Sequence, residues 1–136
     1  MRKILSDLVI KISIILLIGI SGCCAPLTES SKYKLAGMVA KERFGDNYQF
    51  INNESNTFIL CFEKDVKKNN PHISLHYFVY DLCKEKIVAE EKLIDAEINW
   101  LDDSNLEIRI TPEVISEDEI SIFRLNVLTG KKVKSN

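Results

Sequence analysis

The segment AEINWLDDSNLEIRIT, residues 96–111, decides the fold because it places two alternating stretches around one polar turn. Leu106, Ile108 and Ile110 alternate with charged residues, so the apolar side chains fall on one face of a strand. A strand with one apolar and one charged face is typical of an antiparallel sheet that covers a core on one side. The residues DDSN predict a turn, since their side chains can cap their own backbone. The segment therefore predicts a β-hairpin.

The segments on either side of this hairpin are also rich in β-branched and aromatic residues, which pack well in strands. Their connections are short, which favours antiparallel neighbours over crossovers. We therefore expect an α+β fold: an antiparallel β-meander of five to six strands with one N-terminal helix packed on it. The further candidate strands are residues 48–51, 58–62, 73–82, 86–93 and 120–128.

Two likenesses to known folds accompany this pattern. The segments YDLCKEKIV and LNVLTGKKV resemble the strand–turn–strand edges of β-propeller blades, although a propeller needs at least four blades. A helix followed by strands also loosely resembles PepSY-like or cystatin-like domains. Neither likeness includes a diagnostic motif, so no residue roles follow from them.

The segment KLAGMVAKERF, residues 34–44, is the best helical stretch of the chain. Leu35, Met38, Val39 and Phe44 recur at three- and four-residue spacing, which predicts one apolar face. Gly45 follows directly and is a natural C-cap. We expect this helix to pack on the sheet.

The N-terminus has the layout of an export signal. Arg2 and Lys3 precede an apolar core at Ile12–Ile20, which is shorter than the roughly 20 residues of a membrane-spanning helix. A permanent span would have to place Lys11 in or near the bilayer, at a cost in free energy. An ordinary signal cleaved near Gly22 or Ala25 is a second alternative.

The segment Ile20-Ser21-Gly22-Cys23 resembles the lipobox of bacterial lipoproteins. The resemblance implies lipid transfer to the Cys23 sulfur, cleavage between Gly22 and Cys23, and acylation of the new amine. It predicts a signal peptide at residues 1–22 and a lipidated tether at 23–33. The helix and strand pattern predicts one small α+β domain at 34–136. Asp7 departs from the usual pattern, because acidic residues are uncommon there.

The other three cysteines have no assigned role in the sequence. Cys24 is a free thiol, a pairing partner or a neutral part of the tether. Export favours disulfides, but Cys61 lies in a strand and Cys83 at the edge of a turn, which argues against their direct pairing. The chain contains no Cys-x-x-Cys pair, so a redox or structural zinc site has no support.

The charge balance excludes some partners. From Cys23 onward the chain has 15 basic and 19 acidic residues, a formal charge of −4. Nucleic-acid binding calls for basic patches, and anionic lipid attracts basic segments. We therefore expect no nucleic-acid partner, and membrane attachment only through acyl chains on Cys23. Because no acidic run follows Cys23, the sequence favours the periplasmic face over surface export.

No motif predicts catalysis or a bound metal. His72 and His76 are four residues apart, but in a strand that spacing corresponds to about 13 Å, too far for one metal. Glu90 and Glu91 are adjacent in a strand and point to opposite faces. Asp102 and its neighbours fit turn chemistry. We expect no catalytic residues, no metal and no cofactor.

Aromatic residues are the best candidates for a binding surface, although packing against the helix and loops is the favoured explanation for them. Tyr77, Tyr80 and Trp100 are the residues we single out. The leading hypothesis is a non-enzymatic, lipid-anchored binding or accessory module of the bacterial cell envelope that engages an envelope protein or glycan. The alternative is an inhibitor or sensor domain for an envelope hydrolase, and an enzyme ranks third.

Overall fold

The computed structural model describes residues 29–66, 71–111 and 120–135. One helix precedes eight strands in the described residues, and the first four and the last four strands form two antiparallel four-stranded sheets, each in chain order. The α+β class is confirmed, and the expectation of one meander of five to six strands is matched only in part, because the strands pair in chain order but form two sheets. The elements are α1 (Glu29–Phe44), β1 (Gln49–Asn52), β2 (Phe58–Val66), β3 (Ile73–Asp81), β4 (Lys86–Ile94), β5 (Ala96–Trp100), β6 (Asn105–Ile110), β7 (Ser121–Asn126) and β8 (Lys132–Ser135).

A single residue separates the two sheets. Asp95 has a positive φ of 51° and lies between the last residue of β4 and the first of β5. Its N–H donates to the carbonyl of Ile73 in the first sheet (2.8 Å), and its carbonyl accepts from the N–H of Thr111, which follows β6 (2.9 Å). The left-handed conformation turns the chain between the layers, and Asp adopts it more readily than most residues.

The main hydrophobic core lies between the two sheets. Alternate residues of β2 and β3 face alternate residues of β5 and β6, and the same core continues to Leu93 and Leu125. Leu60, Leu106 and Ile108 are fully buried in it. Burial of this apolar area is the main stabilising contribution. The one-sided alternation predicted for residues 106–110 is confirmed for Leu106 and Ile108, and Ile110 packs partly buried against the same core.

Helix α1 covers the other face of the first sheet, so this sheet is buried on both faces. Ala36, Ala40 and Phe44 are spaced four residues apart and pack on Ile59 and Phe78, among others. The predicted apolar face was wrong in part, since Met38 is 60% exposed. Small alanine side chains let the helix approach the sheet closely, which a count of large apolar residues does not reveal.

The helix boundaries also differ from the prediction. The helix begins at Glu29, five residues before the expected start, because neither proline nor glycine interrupts residues 29–36. The predicted C-cap is confirmed, as Gly45 has a φ of 70° and its N–H donates to the Lys41 carbonyl (2.9 Å). None of the described helices is long and apolar enough to cross a membrane.

The strands run between two ends of the domain. The turn end consists of the connections β1–β2 (53–57), β3–β4 (82–85), β5–β6 (101–104) and β7–β8 (127–131). The junction end lies opposite and contains Asp95. Since β3 spans eight residue steps, the two ends are about 26 Å apart. The helix starts near the turn end, because the Tyr33 hydroxyl bonds to Asn52 and Asn56 (3.1 and 3.4 Å).

Buried polar contacts join the two sheets at the turn end. Asn53 is only 2% exposed. Its amide donates to the Asp103 carbonyl (2.8 Å), and its oxygen accepts from the N–H groups of Thr57 and Phe58 (2.9 and 3.0 Å). The segment 53–57 of the first sheet is thereby fastened to the segment 101–104 of the second.

Candidate functional site

A polar groove of about 380 Å³ opens at the junction end, where β2 and β3 meet the link between the sheets. Its wall combines residues from both sheets because Asp95 brings their ends together. A concave surface with several polar groups is the usual form of a ligand site. The groove is lined by Lys64, Pro71, His72, Ile73, Asp95, Ala96, Glu97 and Thr111.

His72 and Asp95 form the central contact of this groove. The Nδ1 atom of His72 lies 2.5 Å from the Oδ2 atom of Asp95, and the other carboxylate oxygen accepts from the Ile73 N–H (2.8 Å). The His72 hydrogen bond, followed by the Ile73 N–H, lowers the pKa of Asp95 below its ordinary value. The carboxylate therefore stays ionised and fixes the imidazole with Nδ1 as the donor. In the neutral ring, Nε2 is then a hydrogen-bond acceptor.

The groove has mixed charge. Lys64 contributes an ammonium group, Glu97 a second carboxylate and Thr111 a hydroxyl, and all three residues are exposed. Such a set offers donors and acceptors to a neutral polar or zwitterionic ligand. A positively or negatively charged ligand would meet at least one like charge.

The other histidine lies in a different environment. His76 contacts Glu90 (Nε2 to Oε1, 3.3 Å) and packs edge-on against the ring of Phe44 at 4.9 Å. Arg43 bonds to the same carboxylate (2.5 Å). This cluster fastens the end of α1 to the first sheet. The two histidines therefore pair with different carboxylates, in keeping with the strand spacing.

The paired carboxylates follow the alternation predicted for a strand. Glu90 faces the helix, whereas Glu91 faces the space between the sheets, where it accepts from the Tyr77 hydroxyl (3.1 Å) and from Lys132 (2.8 Å to each oxygen). The expectation that Glu90 and Glu91 point to opposite faces is confirmed. Asp102 accepts from the N–H groups of Ser104 and Asn105 (2.8 Å each), the turn chemistry predicted for it.

The three aromatic residues singled out from the sequence do not form one exposed surface. Tyr77 is 1% exposed in the core between the sheets, and burial raises the pKa of its hydroxyl. Tyr80 is 4% exposed among the residues that pack on the helix. Trp100 is half-buried, and its Nε1–H donates to the Ile51 carbonyl (2.9 Å). The first two rings are therefore unavailable to a macromolecule.

The cysteines occupy distinct positions. Cys61 is a free thiol that is fully buried beneath α1, and burial raises its pKa, so it is a poor nucleophile. Cys83 is exposed in the β3–β4 connection and is disulfide-bonded. The expectation that Cys61 and Cys83 are not paired is confirmed. Gly22 and Cys23, the predicted cleavage and lipidation residues, lie outside the described residues, as does Cys24.

No three His, Cys, Asp or Glu side chains in the described part of the chain lie together in a way that could hold a metal ion. No protein-family model, curated protein or solved structure matches the chain. The functional argument therefore rests on the residues themselves.

Sequence reasoning missed the groove because its central pair is formed through space. His72 and Asp95 are 23 residues apart, and neither belongs to a local motif. The available signal was weak: Asp95 is an acidic residue that interrupts an apolar alternation between Leu93 and Ala96. Such an interruption marks a break in a strand, but it does not reveal which residue Asp95 will contact.

Proposed function

We propose that this chain is a lipid-anchored protein of the bacterial cell envelope whose folded domain binds another envelope component without catalysing a reaction. The observation that carries the proposal is the segment Ile20-Ser21-Gly22-Cys23, which directly follows a short apolar core and a basic start. In this proposal, lipid on Cys23 holds the domain at the membrane. Two or more acyl chains are needed for stable anchoring.

The position of α1 supports an orientation for the anchored domain. The helix begins at Glu29, six residues after Cys23, and six residues span at most about 20 Å. Since the first turns of α1 lie near the turn end, we expect that end to face the membrane. The junction end then faces away from the bilayer.

The junction groove is our candidate for the binding site, because exposed polar groups from both sheets converge there. Lys64, His72 and Glu97 would meet a polar segment of an envelope protein or a glycan. The hydrogen bonds of Asp95 to His72 and Ile73 hold the site in place, so little ordering would accompany binding.

Anchoring is tested by replacing each of two neighbouring cysteines. Cys23→Ala should abolish labelling with a palmitate analogue and release the protein from the membrane fraction. Cys24→Ala is the matched control, with the same chemical change one residue away, and should retain both label and membrane association. Labelling that persists in Cys23→Ala would contradict the proposal.

Binding at the groove is tested by site-specific photo-crosslinking in intact cells. A crosslinking residue at Glu97 should give a discrete adduct, whereas one at Lys41, which is exposed on α1, should not. Lys64→Glu should weaken the adduct at Glu97 by reversing one charge of the groove. Adducts of equal intensity at both positions would argue against a binding site at the junction end.

A further inference from the structure

The two sheets share one plan of strand pairing. Each contains four antiparallel strands in chain order, and rows of directly paired residues cross both sheets. The three neighbouring rows match in the same way as the first, so each residue of these rows has a counterpart in the other sheet. The first row contains Asn52, Ile59 and Tyr80 in one sheet and Trp100, Leu106 and Leu125 in the other.

The turns after the third strand of each sheet have the same hydrogen bonds. The Oδ1 atom of Asp81 accepts from the N–H groups of the second and third residues after it (2.9 and 2.8 Å). The Oδ1 atom of Asn126 accepts from the equivalent N–H groups (3.1 and 3.0 Å). The fourth residue after each, Glu85 and Gly130, has a positive φ of 51° and 69°. The two turns therefore have one conformation.

Contacts between neighbouring turns also match. The N–H of Leu82 donates to the Thr57 carbonyl (3.0 Å), and the N–H of Val127 donates to the Ser104 carbonyl (2.9 Å). These turns lie in the segments YDLCKEKIV and LNVLTGKKV, residues 80–88 and 125–133. Their similar sequences therefore occupy equivalent positions in two copies of one unit.

Equivalent faces of the two sheets are covered by different elements. In the first sheet, Ile59 and Cys61 pack with α1. Their counterparts Leu106 and Ile108 pack with the first sheet. Repeated units bury their apolar faces by stacking on a neighbour. Helix α1 therefore occupies the place that a preceding sheet would take in a longer stack.

The opposite faces differ in composition. Leu60 and Val79 of the first sheet are fully buried in the core between the sheets. Their counterparts in the second sheet are Glu107 and Arg124, which pair directly with each other, and Arg124 is exposed. Opposite charges on paired strands stabilise an exposed face, but their desolvation beneath another sheet would be costly.

We infer that the domain is a tandem duplication of one four-stranded unit, closed by α1 at the first copy and by a charged outer face at the second. Terminal repeats with a polar outer face keep such arrays soluble. A further unit or a second chain is thereby prevented from stacking on the second sheet. Lipidation of Cys23 is not required for this architecture.

This closure leaves the junction groove accessible to a partner. The groove lies between Lys64 and Thr111, each two residues beyond the matched residues Phe62 and Arg109. It is therefore formed between equivalent points of the two copies, at one end of the stack rather than on a sheet face.

The closure is tested by giving the second sheet the residues of the first. The double variant Glu107→Leu, Arg124→Val carries the side chains of Leu60 and Val79 at their counterpart positions. The full chain, purified in detergent, is examined by sedimentation velocity over a range of concentrations. Wild type should sediment as a single chain, whereas the double variant should associate increasingly as its concentration rises.

The matched control places the same apolar side chains on an exposed part of α1. The variant Lys41→Val, Glu42→Leu also removes one basic and one acidic group, and it should remain a single chain. Circular dichroism checks that each variant is folded. Arg124→Val alone perturbs the sheet less and should associate more than wild type and less than the double variant.

Two results would overturn the closure. One is a folded double variant, or a folded Arg124→Val if the double variant does not fold, that sediments like wild type. The other is a wild type that self-associates and becomes a single chain on Arg124→Glu, because the outer face would then be an interface between copies.

The duplication is tested by exchanging equivalent turn residues. Asp81→Asn and Asn126→Asp each keep the oxygen that accepts from two N–H groups, so their urea midpoints should stay closer to wild type than those of Asp81→Ala and Asn126→Ala. Glu85→Gly copies Gly130 and should raise the midpoint, because glycine adopts a positive φ without strain. Exchange variants as unstable as the alanine variants would show that the turns are not equivalent and would overturn the duplication.

Discussion

Replacing Asn53 by alanine should destabilise the domain strongly, because this side chain fastens the two sheets at the turn end. The substitution removes the acceptor of the Thr57 and Phe58 N–H groups and the donor to the Asp103 carbonyl. Phe58 is 7% exposed, so water cannot easily replace the lost partner of its N–H group. The other two groups lie nearer to solvent and regain part of their hydrogen bonding.

The magnitude follows from these three groups. An unsatisfied buried N–H costs about 1–3 kcal/mol, and each partly solvated loss about 0.5–1.5 kcal/mol. Because contributions within one network are not additive, we expect Asn53→Ala to lose about 2–4 kcal/mol. In a domain of this size, a loss of 2 kcal/mol lowers Tm by about 8–16 °C.

Urea unfolding followed by circular dichroism measures the effect. The midpoint should fall with an unchanged m value, since the substitution alters stability and not the area exposed on unfolding. Asn99→Ala is the matched control, because Asn99 is exposed on β5, and it should change stability by less than about 0.5 kcal/mol. A loss in Asn53→Ala no larger than in the control would refute the role assigned to Asn53.

Two further predictions concern the titratable groups. The hydrogen bond from His72 holds the pKa of Asp95 below its ordinary 3.8, so the ionised carboxylate stabilises the folded state above that value, and this stability is lost as pH falls through the lower folded pKa. Urea titrations from about pH 5 to about pH 2 should show that the difference in free energy of unfolding between wild type and Asp95→Asn becomes smaller as the pH falls. A difference that stays constant with pH would contradict the assignment. Burial raises the pKa of Cys61, so a soluble thiol reagent should label this residue only after unfolding. Labelling of native Cys61 at the rate of a free cysteine would show that α1 does not cover it.

The sequence predicted the parts of the fold that depend on local alternation. The strand at residues 106–110 and the helix end at Gly45 were both found where the pattern placed them. The division into two sheets could not be predicted, because it depends on one residue, Asp95, that carries no standard turn signal. The last strand, Lys132–Ser135, was not among the candidate strands, although the segment LNVLTGKKV resembles a strand–turn–strand edge. In the structure Lys132 bonds to Glu91 across the sheets.

The candidate site was less predictable than the fold. Adjacent residues such as Glu90 and Glu91 could be assigned to opposite faces, because strand geometry is local. The pairing of His72 with Asp95 depends on the register of β3 against β4, which places Ile73 beside Asp95 and which periodicity does not specify. Tyr77 and Tyr80 lie on opposite faces of β3, but both faces are buried, so an outward aromatic patch did not result.

The chain order of the two sheets has a consequence for folding during synthesis. The first sheet is complete once Ile94 has emerged, and its hairpins pair neighbours in sequence, which favours rapid formation. One face is then covered by α1, while the face bearing Leu60, Leu75 and Val79 has no cover until residues 96–127 arrive. We therefore expect the nascent first half to expose one apolar face of its sheet. Chaperones bind such surfaces, and the chain aggregates through them when synthesis of the second half is delayed.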